Sequence, residues 1–251
     1  MYLMLALAFV FGACIGSFLN VCIYRLPLGQ SVVFEPSHCT GCGRRLGVRD
    51  LVPLISYLLL KGRCRYCAAL ISARYPLVEL LTALLFVAAY QFWGWQWQTA
   101  AYCMFFAVLV TAAFIDYRHS IIPDELIIAG CVLGLPLLFL SGPGQLVDGL
   151  IGFLVAGLLF LLIAVVSRGG LGGGDIKLAA LMGLYLGFPD IFIALFSAFL
   201  LGALVSIVML ALGKKSLKDA VPFGPFLALG GVTAAFGADP MISWYLRLVG
   251  L

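Results

Sequence analysis

Charge is scarce in this chain: 15 Lys and Arg and 11 Asp and Glu make up 10% of its 251 residues, against 64% that are hydrophobic. A soluble domain of this size cannot hide so much apolar surface, so the composition excludes one and points to a polytopic membrane protein. The apolar run from Met1 to Cys22 lacks the basic flank and the small-residue cleavage site of a secretory signal, and reads as an uncleaved first span. Internal repeats and low-complexity segments are missing as well. So are Lys and Arg from the loops around Trp93–Gln98, Ser141–Gln145 and Phe188–Asp190. The net charge of +4 therefore follows membrane topology and gives no sign of a nucleic-acid partner.

What is present is a succession of apolar segments. Hydropathy predicts an all-α fold of eight transmembrane helices, at about 3–24, 76–93, 99–115, 125–140, 147–166, 177–188, 191–212 and 224–238. The sixth is short for a bilayer and is expected to begin in a water-filled or protein-lined cavity. The basic residues alternate by loop. Arg25, Arg44, Arg45, Arg49, Lys61, Arg63, Arg65 and Arg74 lie between spans one and two, Arg118 after span three, Arg168 and Lys177 around a glycine turn, and Lys214, Lys215 and Lys218 after span seven. Only Arg247 falls on the other side. The positive-inside rule then places the basic loops in the cytoplasm and both termini outside.

Three parts are expected: a first helix (1–24), a cytoplasmic insert (25–75) and a transmembrane core (76–251). The insert carries Cys39-x-x-Cys42 and Cys64-x-x-Cys67. Two such knuckles complete a tetrahedral four-thiolate site, here with a gap slightly longer than the usual zinc-ribbon template. Structural zinc could supply folding energy to a segment without a large core, and a cytoplasmic location disfavours disulfides. Four cysteines leave no open position for catalysis at the metal. Cys14, Cys22, Cys103 and Cys131 read as small apolar residues of the spans. The stretch 51–60, too short to span, is expected to pack on the insert's core or lie at the membrane surface.

Two carboxylates stand at the cytoplasmic rims of apolar segments. Asp116 ends the third span, and Asp175 closes the turn Gly172-Gly173-Gly174-Asp175. A carboxylate near hydrocarbon costs several kcal/mol unless paired, neutralised or hydrated, which makes both functional candidates. Two carboxylates that meet share a proton, so that one can act as base on a water while the other polarises a carbonyl. The bland reading of Asp175 is a helix N-cap with Lys177 snorkelling. Asp124 rivals Asp116, but with Glu125 it suits the cap and first turn of span four. His119 fits a solvated loop position, and His38 a surface position or a second shell of the metal. Gly12, Gly16 and Asn20 mark a helix-packing face of span one. Glu79, early in span two, is expected either to pair with a cytoplasmic Arg or Lys or to tune the active site. ProPheGlyProPhe (222–226) reads as a rigid loop leading into span eight, or as lining of the cleft.

Taken in order, these residues resemble the type IV prepilin peptidases, of the GxGD class of membrane aspartyl proteases. The resemblance rests on GlySerPheLeuAsnValCysIleTyrArgLeuPro (16–27), both CxxC pairs, ArgTyrProLeuValGluLeuLeuThr (74–82), IleAspTyrArgHisSerIleIleProAsp (115–124), GlyGlyGlyAspIleLys (172–177) and ProPheGlyProPhe. It implies removal of the basic leader of prepilins and type II secretion pseudopilins, with Asp116 and Asp175 catalytic. Gly172, Gly174, Lys177, Glu79 and Asp124 would support them. It further implies N-methylation of the new N-terminus with S-adenosylmethionine, for which no strand–glycine loop–helix unit is evident. A peptidase without methyltransferase activity is the competing reading. A transporter would prefer a midplane site and internal repeats, and a non-catalytic scaffold would tolerate Asp→Asn at both positions.

Overall fold

The computed structural model describes residues 2–168, 170–213 and 221–249. Nine helices run in order among them: α1 (Tyr2–Arg25), α2 (Ile55–Leu59), α3 (Arg74–Trp93), α4 (Trp97–His119), α5 (Asp124–Ser141), α6 (Pro143–Val166), α7 (Gly173–Leu186), α8 (Asp190–Ala211) and α9 (Gly224–Val249). No strand forms among the described residues, where β-pairing is limited to two isolated bridges, His38 with Arg45 and Arg63 with Leu70. Eight of the helices coincide with the eight predicted segments. Six of these (α1, α3, α4, α5, α6 and α8) are long and apolar enough to cross a membrane. Helix α7 has 14 residues. At about 1.5 Å per residue it covers roughly 21 Å, short of a hydrocarbon core of about 30 Å. The apolar part of α9, Gly224–Ala238, is also short, but the helix continues past Pro240 to Val249, beyond the predicted end. Lys214, Lys215 and Lys218, used for the topology, lie outside the described residues.

The chain divides into two compact units, Met1–Trp95 and Gln96–Leu251. The first joins α1, the insert and α3. Small residues let α1 and α3 approach backbone to backbone: a Cβ on Gly12 would lie 2.8 Å from Ala83 Cα, and one on Gly16 2.7 Å from Glu79 Cα. Across the same face the Asn20 side-chain amide, buried, donates to the carbonyl of Tyr75 at 3.0 Å. The packing face read from Gly12, Gly16 and Asn20 is the one the fold uses.

The second unit is built around α4. Of the most apolar stretch of α4, 61% is buried, against 22% in α5 and α6. Phe105, Phe106, Leu109 and Ile115 of α4 are fully enclosed, together with Leu178, Leu181 and Met182 of α7. Helices α6 and α7 touch through backbone, since a Cβ on Gly149, Gly152 or Gly183 would collide with a carbonyl of the other helix. On α7, Tyr185 donates its hydroxyl to the carbonyl of Gly130 in α5 at 2.7 Å. Because successive helices of this unit alternate in direction, the C-terminus of α4 and the N-termini of α5, α7 and α9 gather at one end of it.

Candidate active site and metal centre

The site is built at that end. Asp116 occupies the last turn of α4, which stops where Ser120 takes a left-handed conformation (φ 52°) and returns its N–H to the Asp116 carbonyl. The side chain of Asp116 points inward, and the residue is only 6% exposed. Its Oδ2 accepts the backbone N–H of Gly224 at 2.8 Å. Gly224 is the first residue of α9, so its amide has no partner within the helix and is free to serve the carboxylate. No side chain fits there: a Cβ on Gly224 would stand 2.8 Å from Asp116 Oδ2 and 2.9 Å from its Cβ. The ProPheGlyProPhe motif thus does more than rigidify a loop.

Asp175 lies in the first turn of α7, whose N-cap is Gly172. The cap itself is a glycine, and Asp175 stands three positions inside it, where its carboxylate accepts the backbone N–H of Gly172, so the helix-start role of the bland reading is met from within the first turn. It is half-buried and lies within electrostatic reach of Asp116. The flanking glycines have separate reasons. A Cβ on Gly172 would stand 3.2 Å from Asp175 Oδ2, and one on Gly174 3.0 Å from Ile122 Cβ and 3.3 Å from Ile122 N. Gly174 therefore lets α7 start against the segment between α4 and α5. Gly173 faces open space.

Asp124 and Glu125 form the first turn of α5 behind Pro123. Asp124 points outward and pairs with Lys177 Nζ at 2.6 Å, both side chains at least half exposed. Lys177 thus ties the start of α7 to the start of α5. The bond accounts for Asp124 without a place beside Asp116.

In the first unit, Glu79 lies on the face of α3 packed against α1. Among the described residues it has no ion pair. Its Oε2 accepts the N–H of Leu54 at 2.7 Å, and it is hydrogen-bonded by Ser17. A buried carboxylate here is satisfied by neutral donors, and Leu54, which supplies one of them, holds a strained positive-φ conformation (φ 62°, ψ −49°).

The two cysteine knuckles are built alike. Cys39 N–H donates to the Arg44 carbonyl and Gly43 N–H to the Cys39 carbonyl, while Cys64 N–H donates to the Ala69 carbonyl and Ala68 N–H to the Cys64 carbonyl. Gly43 and Ala68 fill the same left-handed position, at φ 68° and 57°. One ligand atom from each of Cys39, Cys42, Cys64 and Cys67 lies within 4.8 Å of the others. The sulfurs of Cys39 and Cys67 are 3.8 Å apart. Tetrahedral zinc with Zn–S of about 2.3 Å separates its sulfurs by about 3.8 Å, so the donor set fits such an ion in both chemistry and spacing. The backbone amides of Cys42 and Gly41 hold the Cys39 thiol down to about 6, toward the thiolate a metal requires.

A clasp that sequence reasoning missed closes around the knuckles. Asp50 accepts from Arg65 Nε at 2.6 Å, Tyr66 Oη at 3.3 Å and the N–H of Gly47 at 3.1 Å. The Arg65 guanidinium holds the Asp50 carboxyl below its ordinary range. The Arg44 guanidinium lies 4.2 Å over the Tyr66 ring, joining one knuckle to the other. Also missed was Arg25, buried at the end of α1, which donates to the carbonyls of Ser31, Glu35 and Pro36 and fixes the path of the chain into the insert.

Comparison with known proteins agrees with this two-part construction. A model of the bacterial peptidase A24 N-terminal domain matches residues 10–93, and one of the type IV leader peptidase family matches residues 103–207. The chain is 35% identical to a prepilin leader peptidase/N-methyltransferase of Bacillus subtilis, over 98% of this chain and 99% of the relative. The chain belongs to the type IV leader peptidase family. Further members with the same name include those of Aeromonas hydrophila, 36% identical over 98% of this chain and 94% of theirs, and Pseudomonas aeruginosa, 34% identical over 95% and 92%. No solved structure matches the chain. In this member of the family, the two matched regions correspond to the two compact units, with the cysteine cluster in the first and both aspartates in the second.

Proposed function

We propose that this protein is a membrane aspartic endopeptidase that removes the basic leader of type IV prepilins and type II secretion pseudopilins, with Asp116 and Asp175 as its catalytic pair. The observation that carries the reading is the convergence of two carboxylates from α4 and α7, one enclosed and held by the Gly224 amide, at the same end of the unit. The positive-inside rule puts that end at the cytoplasmic face of the inner membrane. A basic leader would remain in the cytoplasm while the apolar helix of the substrate enters from the side.

In the reaction, one carboxylate of the pair takes a proton from a water, whose oxygen attacks the scissile carbonyl carbon. The protonated partner donates to the carbonyl oxygen as negative charge develops there. Collapse of the tetrahedral intermediate breaks the C–N bond, and the leaving amine receives the proton. Gly224 fixes one oxygen of Asp116 throughout, leaving the other for water. Gly174 sets the distance of Asp175 by letting α7 seat on Ile122.

Zinc held by Cys39, Cys42, Cys64 and Cys67 would be structural, since four thiolates complete its coordination. Methylation of the new N-terminal amine with S-adenosylmethionine is supported by the names of the relatives. No strand–glycine loop–helix unit for that cofactor exists among the described residues. The deciding experiment is mass spectrometry of a type IV prepilin incubated with the protein, with and without S-adenosylmethionine. Loss of the leader is expected from the wild type and from neither Asp116→Asn nor Asp175→Asn, each inserted in the membrane at normal levels. Full cleavage by either variant would overturn the assignment.

A further inference from the structure

The insert exposes an apolar strip that the peptidase reading does not use. In α2, Ile55, Leu58 and Leu59 are 56%, 72% and 78% exposed. Their one-four-five spacing puts them on one helical face. Ser56, on the other side, is buried and donates to the carbonyl of Arg49. Three large aliphatic side chains presented together are a contact surface awaiting an apolar medium.

The position of α2 says which medium. Residue 54 is fastened to α3 by the bond from Leu54 N–H to Glu79, at the cost of a strained backbone. Glu79 abuts Gly16 of α1 and is five residues into α3, about 7.5 Å along the axis from Arg74. Both α1 and α3 are long and apolar enough to cross a membrane. Helix α2 thus starts at the depth of their polar ends, and on α3 the side chains of Leu77, Leu80, Leu81 and Leu84 are exposed, as lipid-facing residues of a span would be. Lys61 and Arg63 follow it and are exposed. From Arg25 to Arg74 the chain carries eight basic and two acidic residues. Such a charge attracts anionic headgroups and repels a basic leader.

We propose that α2 is an interfacial anchor. It lays Ile55, Leu58 and Leu59 into the cytoplasmic leaflet of the same membrane, with Lys61 and Arg63 on anionic lipid headgroups, and so holds the insert down on the bilayer. This is independent of whether the aspartates cleave a prepilin.

The test places p-benzoylphenylalanine at Leu58, or separately at Leu59, in the full chain reconstituted in phosphatidylcholine–phosphatidylglycerol vesicles. Irradiated protein is then weighed for lipid adducts. Lipid adducts are expected at a yield within about twofold of that from the same group at lipid-facing Leu84, and about tenfold above that at exposed Thr40 of the first knuckle. With Lys61→Gln and Arg63→Gln added, the yield should fall severalfold in these vesicles and become independent of phosphatidylglycerol. Yields at Leu58 and Leu59 no higher than at Thr40 would overturn the proposal. So would adducts to a second copy of the chain, or to an added prepilin, in place of lipid.

Discussion

Alanine placed at each glycine around the two aspartates gives a graded prediction. At Gly224 the new Cβ would stand 2.8, 2.9 and 3.1 Å from three atoms of Asp116. Ordinary contact begins near 3.4 Å, so the carboxylate or the start of α9 must move by about half an ångström or more. Asp116 is too enclosed to swing into free space. A misplacement approaching 1 Å at a reacting group costs about 100-fold in rate, and we expect a loss of that order for Gly224→Ala. Gly174→Ala pushes against backbone and Cβ of Ile122 and should lose about 10- to 100-fold. Gly172→Ala meets only the tip of Asp175 and should lose less. Gly173→Ala meets nothing at the first position of α7, where φ is not positive, so it should keep full activity and gain about 0.4–1 kcal/mol of stability by restricting the unfolded chain. The assay is initial cleavage rate of a purified prepilin in proteoliposomes, beside thermal unfolding of each variant. Wild-type rates for Gly224→Ala, or a Gly173→Ala variant as impaired as Gly174→Ala, would refute the positioning argument.

Three further outcomes are expected. Cys39→Ser or Cys64→Ser should lower zinc to well below one equivalent and expose the insert to limited proteolysis, and unchanged zinc content by atomic absorption would contradict the four-thiolate site. Asp124→Asn or Lys177→Met should shift stability by no more than about 1 kcal/mol, because the pair is solvated, and should leave cleavage within a fewfold of wild type; a loss as deep as that of Asp116→Asn would make Asp124 part of the chemistry. Asp50→Asn should lower the melting temperature of the insert at neutral pH. Since folding depresses the Asp50 carboxyl, its contribution is present above the ordinary carboxylate range and lost as pH falls through the depressed value, so the two melting curves should converge in acid. A gap that does not change with pH would remove Asp50 from the clasp.

The helical segments, the short α7, the cysteine cluster and the placing of both aspartates at helix ends were legible in the sequence because each leaves a local mark: an apolar run, a repeated spacing, a charge where charge is costly. Asp124 could be separated from Asp116 by its neighbours Pro123 and Glu125, which announce a helix start. What escaped was long-range and carried by backbone. Gly224 serves Asp116 across 108 positions through an amide, and no side chain advertises an amide. Glu79 invited a cationic partner by its charge, yet its acceptors are filled by a backbone N–H and a hydroxyl. Residues 51–60 were too short to span, but only the Leu54–Glu79 bond shows at what level they lie.

The backbone seam between α6 and α7 has a mechanical consequence. Helices that meet through Gly149, Gly152 and Gly183, with no side chains between them, have no cushion to shear across. They behave as one plate. Asp175 rides on that plate and Asp116 on α4, so any opening that admits a substrate helix by changing the gap between the two acids must carry α6 along with α7. The travelling part is then a hairpin of two helices, and a crosslink from α6 to α4 should freeze the protein as surely as one from α7.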